Sequence, residues 1–147
     1  MVAIGEKPET QRFAEAQAEI RMEAATLERI REGGVGKGDV LGIARLAAIQ
    51  GAKEASRQIP LCHPVRLTAV EVEFELDDSL PGVRARVGVA AVDRTGPEME
   101  AMVAASSAAL TIYDMCKGVD RAMVVGPIVL VRKAGGKSGE WVRGDAS

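Results

Sequence analysis

The sequence predicts an α+β fold in which an antiparallel sheet carries helices on one face. Three observations lead there. Residues 70 to 76 alternate apolar and acidic side chains, residues 83 to 89 answer with apolar and basic alternation, and an almost wholly apolar stretch follows between a capping signal and a glycine. Period-two alternation marks half-buried strands, and a capped apolar run marks a buried helix.

Taken in order, Glu19 to Ala25 alternates weakly and reads as a first strand, and Leu27 to Glu32 as a short helical turn. Gly33-Gly-Val-Gly-Lys37-Gly-Asp39 is a glycine-rich loop whose Asp39 can cap a helix through Leu41, Ile43, Leu46 and Ile49 to Ser56. Val70, Val72, Phe74 and Leu76 then point one way and Glu71, Glu73 and Glu75 the other. After a turn over 77 to 82, Val83, Ala85, Val87 and Val89 alternate with Arg84 and Arg86, which can face the glutamates across a hairpin. Thr95 and Glu98 have capping-box spacing, Pro97 suits a first helical turn, and Gly118 stops the helix. Met123 to Val131 is a last strand in which Gly126-Pro127 marks a bulge or an edge. The order βαββαβ is the split βαβ, or ferredoxin-like, layout.

The 147 residues suit one domain, with roughly the first ten and last eight expected to be flexible. Hydrophobic residues make up 47% and charged residues 27%, as in an ordinary globule. Aromatics at 3% argue against stacking on single-stranded nucleic acid, and a net charge of -2 gives no global attraction for phosphate. Any anion site must be built locally. The N-terminus lacks the apolar stretch of a signal peptide, and Ala101 to Tyr113 is too short to cross a bilayer, so no membrane association and a cytoplasmic location are expected. Cys62 and Cys116 are then expected as reduced thiols.

The apolar helix holds the most informative residues. At about 100° per residue, Glu100, Ser107, Thr111 and Asp114 share a polar stripe roughly 60° wide, with Lys117 about 60° further round. The rest of the circumference is apolar, and a helix apolar nearly all round needs cover that one sheet cannot give, so a second subunit is expected. Asp114 near a helix C-terminus opposes the macrodipole. An ordinary i,i+3 ion pair with Lys117 and an active-site pair both fit, and the residues alone leave the two open. Glu100 and Asp114 lie about 21 Å apart along the helix, so a pocket using both would draw on neighbouring subunits.

Three loops carry further chemistry. Pro60-Leu-Cys-His-Pro64 holds the only histidine, His63, stiffly between two prolines. It either completes a turn or serves in proton transfer and hydrogen bonding. A metal site from Cys62, His63 and Cys116 falls short in ligand count and spacing, and no metal is expected. The glycine loop at Lys37 is not a Walker A motif, because Arg31 and Gly38 stand where glycine and Ser/Thr are required. The segment Lys133-Ala-Gly-Gly-Lys-Ser-Gly139 fails similarly. Both loops could be merely solvated, yet Lys37, Lys117, Lys133 and Lys137 together would suit a polyanionic small ligand such as a nucleoside triphosphate.

The strings Ile-Pro-Leu-Cys-His-Pro (59 to 64), Thr-Gly-Pro-Glu-Met-Glu-Ala (95 to 101), Ala-Ala-Leu-Thr-Ile-Tyr-Asp-Met-Cys-Lys (108 to 117) and Gly-Gly-Lys-Ser-Gly (135 to 139) resemble the MoaC family, the cyclic pyranopterin monophosphate synthases of molybdenum cofactor biosynthesis. The resemblance runs from Gly5 to about Gly139 and consists of several long motifs in order. It implies a ferredoxin-like lyase that converts 3′,8-cyclo-7,8-dihydro-GTP to cyclic pyranopterin monophosphate and pyrophosphate. It further implies a hexamer, a trimer of dimers, with active sites at the dimer interface.

By matching motif, Asp114 is the expected catalytic acid/base and Lys117 its partner. Leu61, Cys62, His63, Glu98, Met99 and Glu100 match substrate-binding segments, and Lys37, Lys133 and Lys137 fall in basic loops assigned to the triphosphate. No cofactor is implied, and the need for a divalent metal with the triphosphate stays open. One departure is visible: Ala3 stands where the family commonly has aspartate. The alternative from another class is a non-catalytic ferredoxin-like module that binds a nucleotide or anion. It accounts for the lysines but not for Asp114.

Overall fold

The computed structural model describes residues 1–33 and 35–144; Gly34 of the glycine-rich loop and the last three residues lie outside the described residues. Its elements are β1 (Thr10–Arg21), α1 (Ala24–Arg31), α2 (Val40–Gln58), β2 (Leu67–Asp77), β3 (Gly82–Asp93), α3 (Glu98–Cys116), β4 (Val124–Ala134) and β5 (Trp141–Val142). The sheet order is β2-β3-β1-β4-β5, and every pairing is antiparallel. Placing β1 between β3 and β4 is the ferredoxin-like arrangement, with α1 and β5 as additions.

The first strand corrects the sequence reading, because it runs from Thr10 to Arg21 and not from Glu19 to Ala25. Its core face is Ala14, Ala16, Ala18 and Ile20, alternating with Glu15, Gln17 and Glu19. Alanine and glutamate favour helices in isolation, and burial in mid-sheet overrides that preference. The small side chains let α3 lie close above β1.

The hairpin has the expected register, with Glu73 opposite Arg86 and Glu75 opposite Arg84. Arg84 reaches Glu75 at 3.3 Å and Glu19 at 3.1 Å, whereas Arg86 turns to Glu15 at 3.6 Å. Gly126-Pro127 forms the bulge read from sequence: Ala18 pairs with Ile128 and Ile20 with Val125, so two residues face Glu19. Gly126 adopts φ 124°, a conformation that glycine takes without strain.

Asp39 caps α2 as expected, its carboxylate accepting from the Gly42 N–H at 3.0 Å. The capping box of α3 does not form. Pro97 takes the N-cap position, and Glu98 pairs with Lys133 at 2.7 Å, a charge-assisted contact that outcompetes the local one. Ala48, Gly51 and Ala52 of α2 and Ala101, Ala104 and Ala108 of α3 are buried in the core. The helices approach so closely that a Cβ on Gly51 would overlap the Ser107 hydroxyl.

The two helices run antiparallel, so the loop before α2 meets the end of α3 and the loop after α2 meets its start. This places the two unusual loops at opposite poles of α3. Leu110 of α3 and Leu46 of α2 remain 58% and 65% exposed, so the helical layer is only partly covered within one chain. No helix among the described residues is long and apolar enough to cross a membrane.

Candidate active site

At the C-terminal pole of α3, the Asp114 carboxylate lies 2.8 Å from Lys117 Nζ and 3.9 Å from Lys37 Nζ. Lys37 also donates to the Asp114 carbonyl at 3.0 Å, bringing the glycine-rich loop onto the last helical turn. The Lys117 hydrogen bond, with the charges of Lys117 and Lys37, holds the Asp114 carboxyl below its ordinary range, and Asp114 in turn raises Lys117. The group is therefore an ion pair at neutral pH. Being exposed, it contributes little to stability, and it places an acid where the helix dipole opposes one. A cavity of about 410 Å³ adjoins it, lined by Lys37, Lys117 and two cations that the motifs do not reveal, Arg29 and Arg121.

At the N-terminal pole, Leu61, Cys62, His63, Glu98 and Met99 line a cavity of about 320 Å³. The local chain explains their presentation. The Cys62 N–H bonds the Ile59 carbonyl at 3.1 Å, closing a turn that leaves Leu61 exposed. Glu100, on the first turn of α3, is 3% exposed. The Cys62 thiol donates to Glu100 Oε1 at 3.9 Å, while Oε2 is buried with no partner among the described residues. Burial pushes the Glu100 carboxyl up, and burial followed by the Glu100 charge pushes up the Cys62 thiol. A buried carboxyl with a free oxygen can receive an N–H donor from a ligand.

Lys133 joins this pole through Glu98, and Lys137 lies exposed in the adjoining glycine loop. Arg12 of β1 is a further cation there, one that the sequence pattern hides because Thr10 to Arg21 does not announce itself as a strand. Its guanidinium packs on Gly136 so closely that a Cβ at Gly136 would overlap it, and it donates to the Arg94 carbonyl at 3.2 Å. Cys62 and Cys116 are free thiols, at opposite poles. Ala3 is exposed near the N-terminus.

The expected residues thus fall into two sets. Asp114, Lys117 and Lys37 form one; Leu61, Cys62, His63, Glu98, Met99, Glu100 and Lys133 form the other. About 21 Å of helix separates Glu100 from Asp114. One chain does not unite them. No three His, Cys, Asp or Glu side chains among the described residues gather as a metal-ligand set.

Fold and site define a class: a ferredoxin-like α+β protein with acidic and cationic side chains gathered at both ends of one core helix. Residues 1–136 match the family model described as the MoaC family. The chain belongs to the MoaC family, a family of biosynthetic enzymes, and its role lies in molybdenum cofactor biosynthesis.

Proposed function

We propose that this chain is a cyclic pyranopterin monophosphate synthase, a lyase that converts 3′,8-cyclo-7,8-dihydro-GTP to cyclic pyranopterin monophosphate and pyrophosphate. The observation that carries the reading is Asp114, an exposed carboxylate set against the helix dipole and held between Lys37 and Lys117. A module that only bound an anion would gain nothing from it.

Before substrate binds, the lysines keep Asp114 ionised. Phosphate oxygens entering the site compete for Lys37 and Lys117, and that competition returns the Asp114 carboxyl toward its ordinary range. It can then accept and return a proton during ring rearrangement. Formation of the cyclic phosphate breaks the bond between the α-phosphorus and the departing pyrophosphate as a substrate hydroxyl attacks. Lys117 stabilises the charge that develops there.

Lys37, Lys133 and Lys137 hold the triphosphate. The side chains of Leu61, Cys62, His63, Glu98 and Met99, with the buried Glu100 carboxyl bonded to Cys62, receive the purine-derived ring. Since the two sets lie at opposite poles, the site is completed between protomers of a hexamer built as a trimer of dimers. Exposed Ile43, Leu46 and Leu110 on the helical layer support such an interface. The proposal includes no resident cofactor and a cytoplasmic setting.

The test is pyrophosphate release from the cyclised nucleotide, with and without a chelator and with GTP as a control. Turnover of the cyclised nucleotide alone supports the reading. Tight binding without turnover favours the non-catalytic module, and hydrolysis of GTP would indicate a generic triphosphatase.

A further inference from the structure

Resting on the function proposed above, we propose that Arg29 and Arg121 form, with Lys37 and Lys117, the subsite that receives the two phosphates leaving as pyrophosphate. The cavity of about 410 Å³ at the C-terminal pole is large enough for a diphosphate, within the range of small-molecule sites, about 300 to 1,000 Å³. Its lining draws cations from three separate elements: Arg29 from α1, Lys37 from the glycine-rich loop, and Lys117 and Arg121 from the turn after α3. No carboxylate is among the lining residues.

The four cations are not equivalent. Lys37 and Lys117 both engage Asp114. Arg29 and Arg121 make no ion pair among the described residues, so their forks are free for a ligand, and a guanidinium matches two oxygens of one phosphate in a way an ammonium does not. Arg29, Lys37, Lys117 and Arg121 line one cavity, so a diphosphate bound there meets the two free guanidinium forks as well as the two lysines.

The geometry is held in advance. Asp120, 5% exposed, accepts from the Glu23 N–H at 2.9 Å and from the Thr26 hydroxyl at 3.0 Å, fastening the turn after α3 to the start of α1. The Tyr113 hydroxyl donates to the Arg121 carbonyl at 3.0 Å, fastening the same turn to α3. Like charges brought together by fixed backbone repel until an anion enters. The backbone that carries these charges is therefore already in place, and binding an anion orders only their exposed side chains.

The experiment is calorimetric titration of the full-length protein with inorganic pyrophosphate, comparing wild type with Arg29→Ala/Arg121→Ala and Arg29→Lys/Arg121→Lys. Both arginines are exposed, and the thermal midpoint and oligomeric state of each variant are checked first. The double alanine variant should weaken pyrophosphate binding by about 100-fold, about tenfold for each charge-assisted contact. The lysine pair should fall between it and wild type. With the cyclised nucleotide, KM and the pyrophosphate inhibition constant should rise together while kcat changes by less than about threefold, the pattern of weakened binding with the chemistry intact.

Pyrophosphate affinity unchanged in a folded double alanine variant overturns the subsite, whatever the enzyme does. Arginine-dependent pyrophosphate binding by a wild-type protein that does not turn over the cyclised nucleotide supports the subsite while removing the proposed reaction. The two failures are therefore distinguishable.

Discussion

Asp120→Ala should unfasten α1 from the turn that carries Lys117 and Arg121. Helix α1 has no side-chain cap of its own at Glu23, and Asp120 supplies one from elsewhere in the chain. The two hydrogen bonds that the substitution removes are unequal. Thr26 is 3% exposed, so its hydroxyl would be left without a partner in a dry position, which costs about 1–3 kcal/mol. The Glu23 N–H sits on an exposed residue where water can replace the carboxylate, and removing the cap there costs about 1 kcal/mol. Together the substitution should destabilise the protein by about 2–4 kcal/mol. Denaturant unfolding at fixed protomer concentration measures this, since association shifts apparent stability. A cycle with Thr26→Val should show coupling of about 1–2 kcal/mol, as expected for directly bonded partners. A destabilisation below about 0.5 kcal/mol, the range of ordinary surface changes, would refute the clasp.

Other perturbations follow from the same geometry. Glu100→Gln should stabilise the protein near neutral pH by about 1 kcal/mol, because the amide keeps the polar contacts of the site while removing the cost of burying a charge. The folded Glu100 pKa lies above its ordinary 4.5, so the wild-type penalty is fully present above the folded value and disappears as pH falls to 4.5 and below; a gain independent of pH would contradict this assignment. Lys117→Ala, with folding intact, should lower turnover by at least about 100-fold, the scale of a positioned charge-stabilising group. Near-normal rates would remove it from the chemistry. Gly51→Val should destabilise by at least about 2 kcal/mol by overpacking against Ser107 and the Ala104 backbone, read from the denaturant midpoint. A neutral effect would mean that the helices can separate there.

Much of the fold is legible in the sequence because its signals are local. The hairpin alternates at period two over a long stretch, α2 carries its own Asp39 cap, and the β4 bulge is written in Gly126-Pro127. The first strand is not legible, since Ala14, Ala16 and Ala18 make a strand only where a helix packs onto small side chains in mid-sheet. The α3 capping box fails because Glu98 has a better partner in Lys133, which sequence spacing cannot show. Asp114 with Lys117 is readable as an i,i+3 pair on one helical turn. Lys37 at their side requires the fold, and so do Arg29, Arg121 and Arg12, whose surroundings are composed of distant segments. The partnerless Oε2 of Glu100 is likewise a property of packing, invisible in residue order.

One comparison bears most directly on what this carboxylate is for: pyrophosphate release from the cyclised nucleotide by wild type and by Asp114→Asn, with assembly state and substrate affinity measured on the same samples. The asparagine variant should assemble like wild type and bind substrate at least as tightly, because Lys37 and Lys117 lose their competing carboxylate, yet release no pyrophosphate. Release at the wild-type rate by a correctly assembled Asp114→Asn protein would show that the proton passes through some other group.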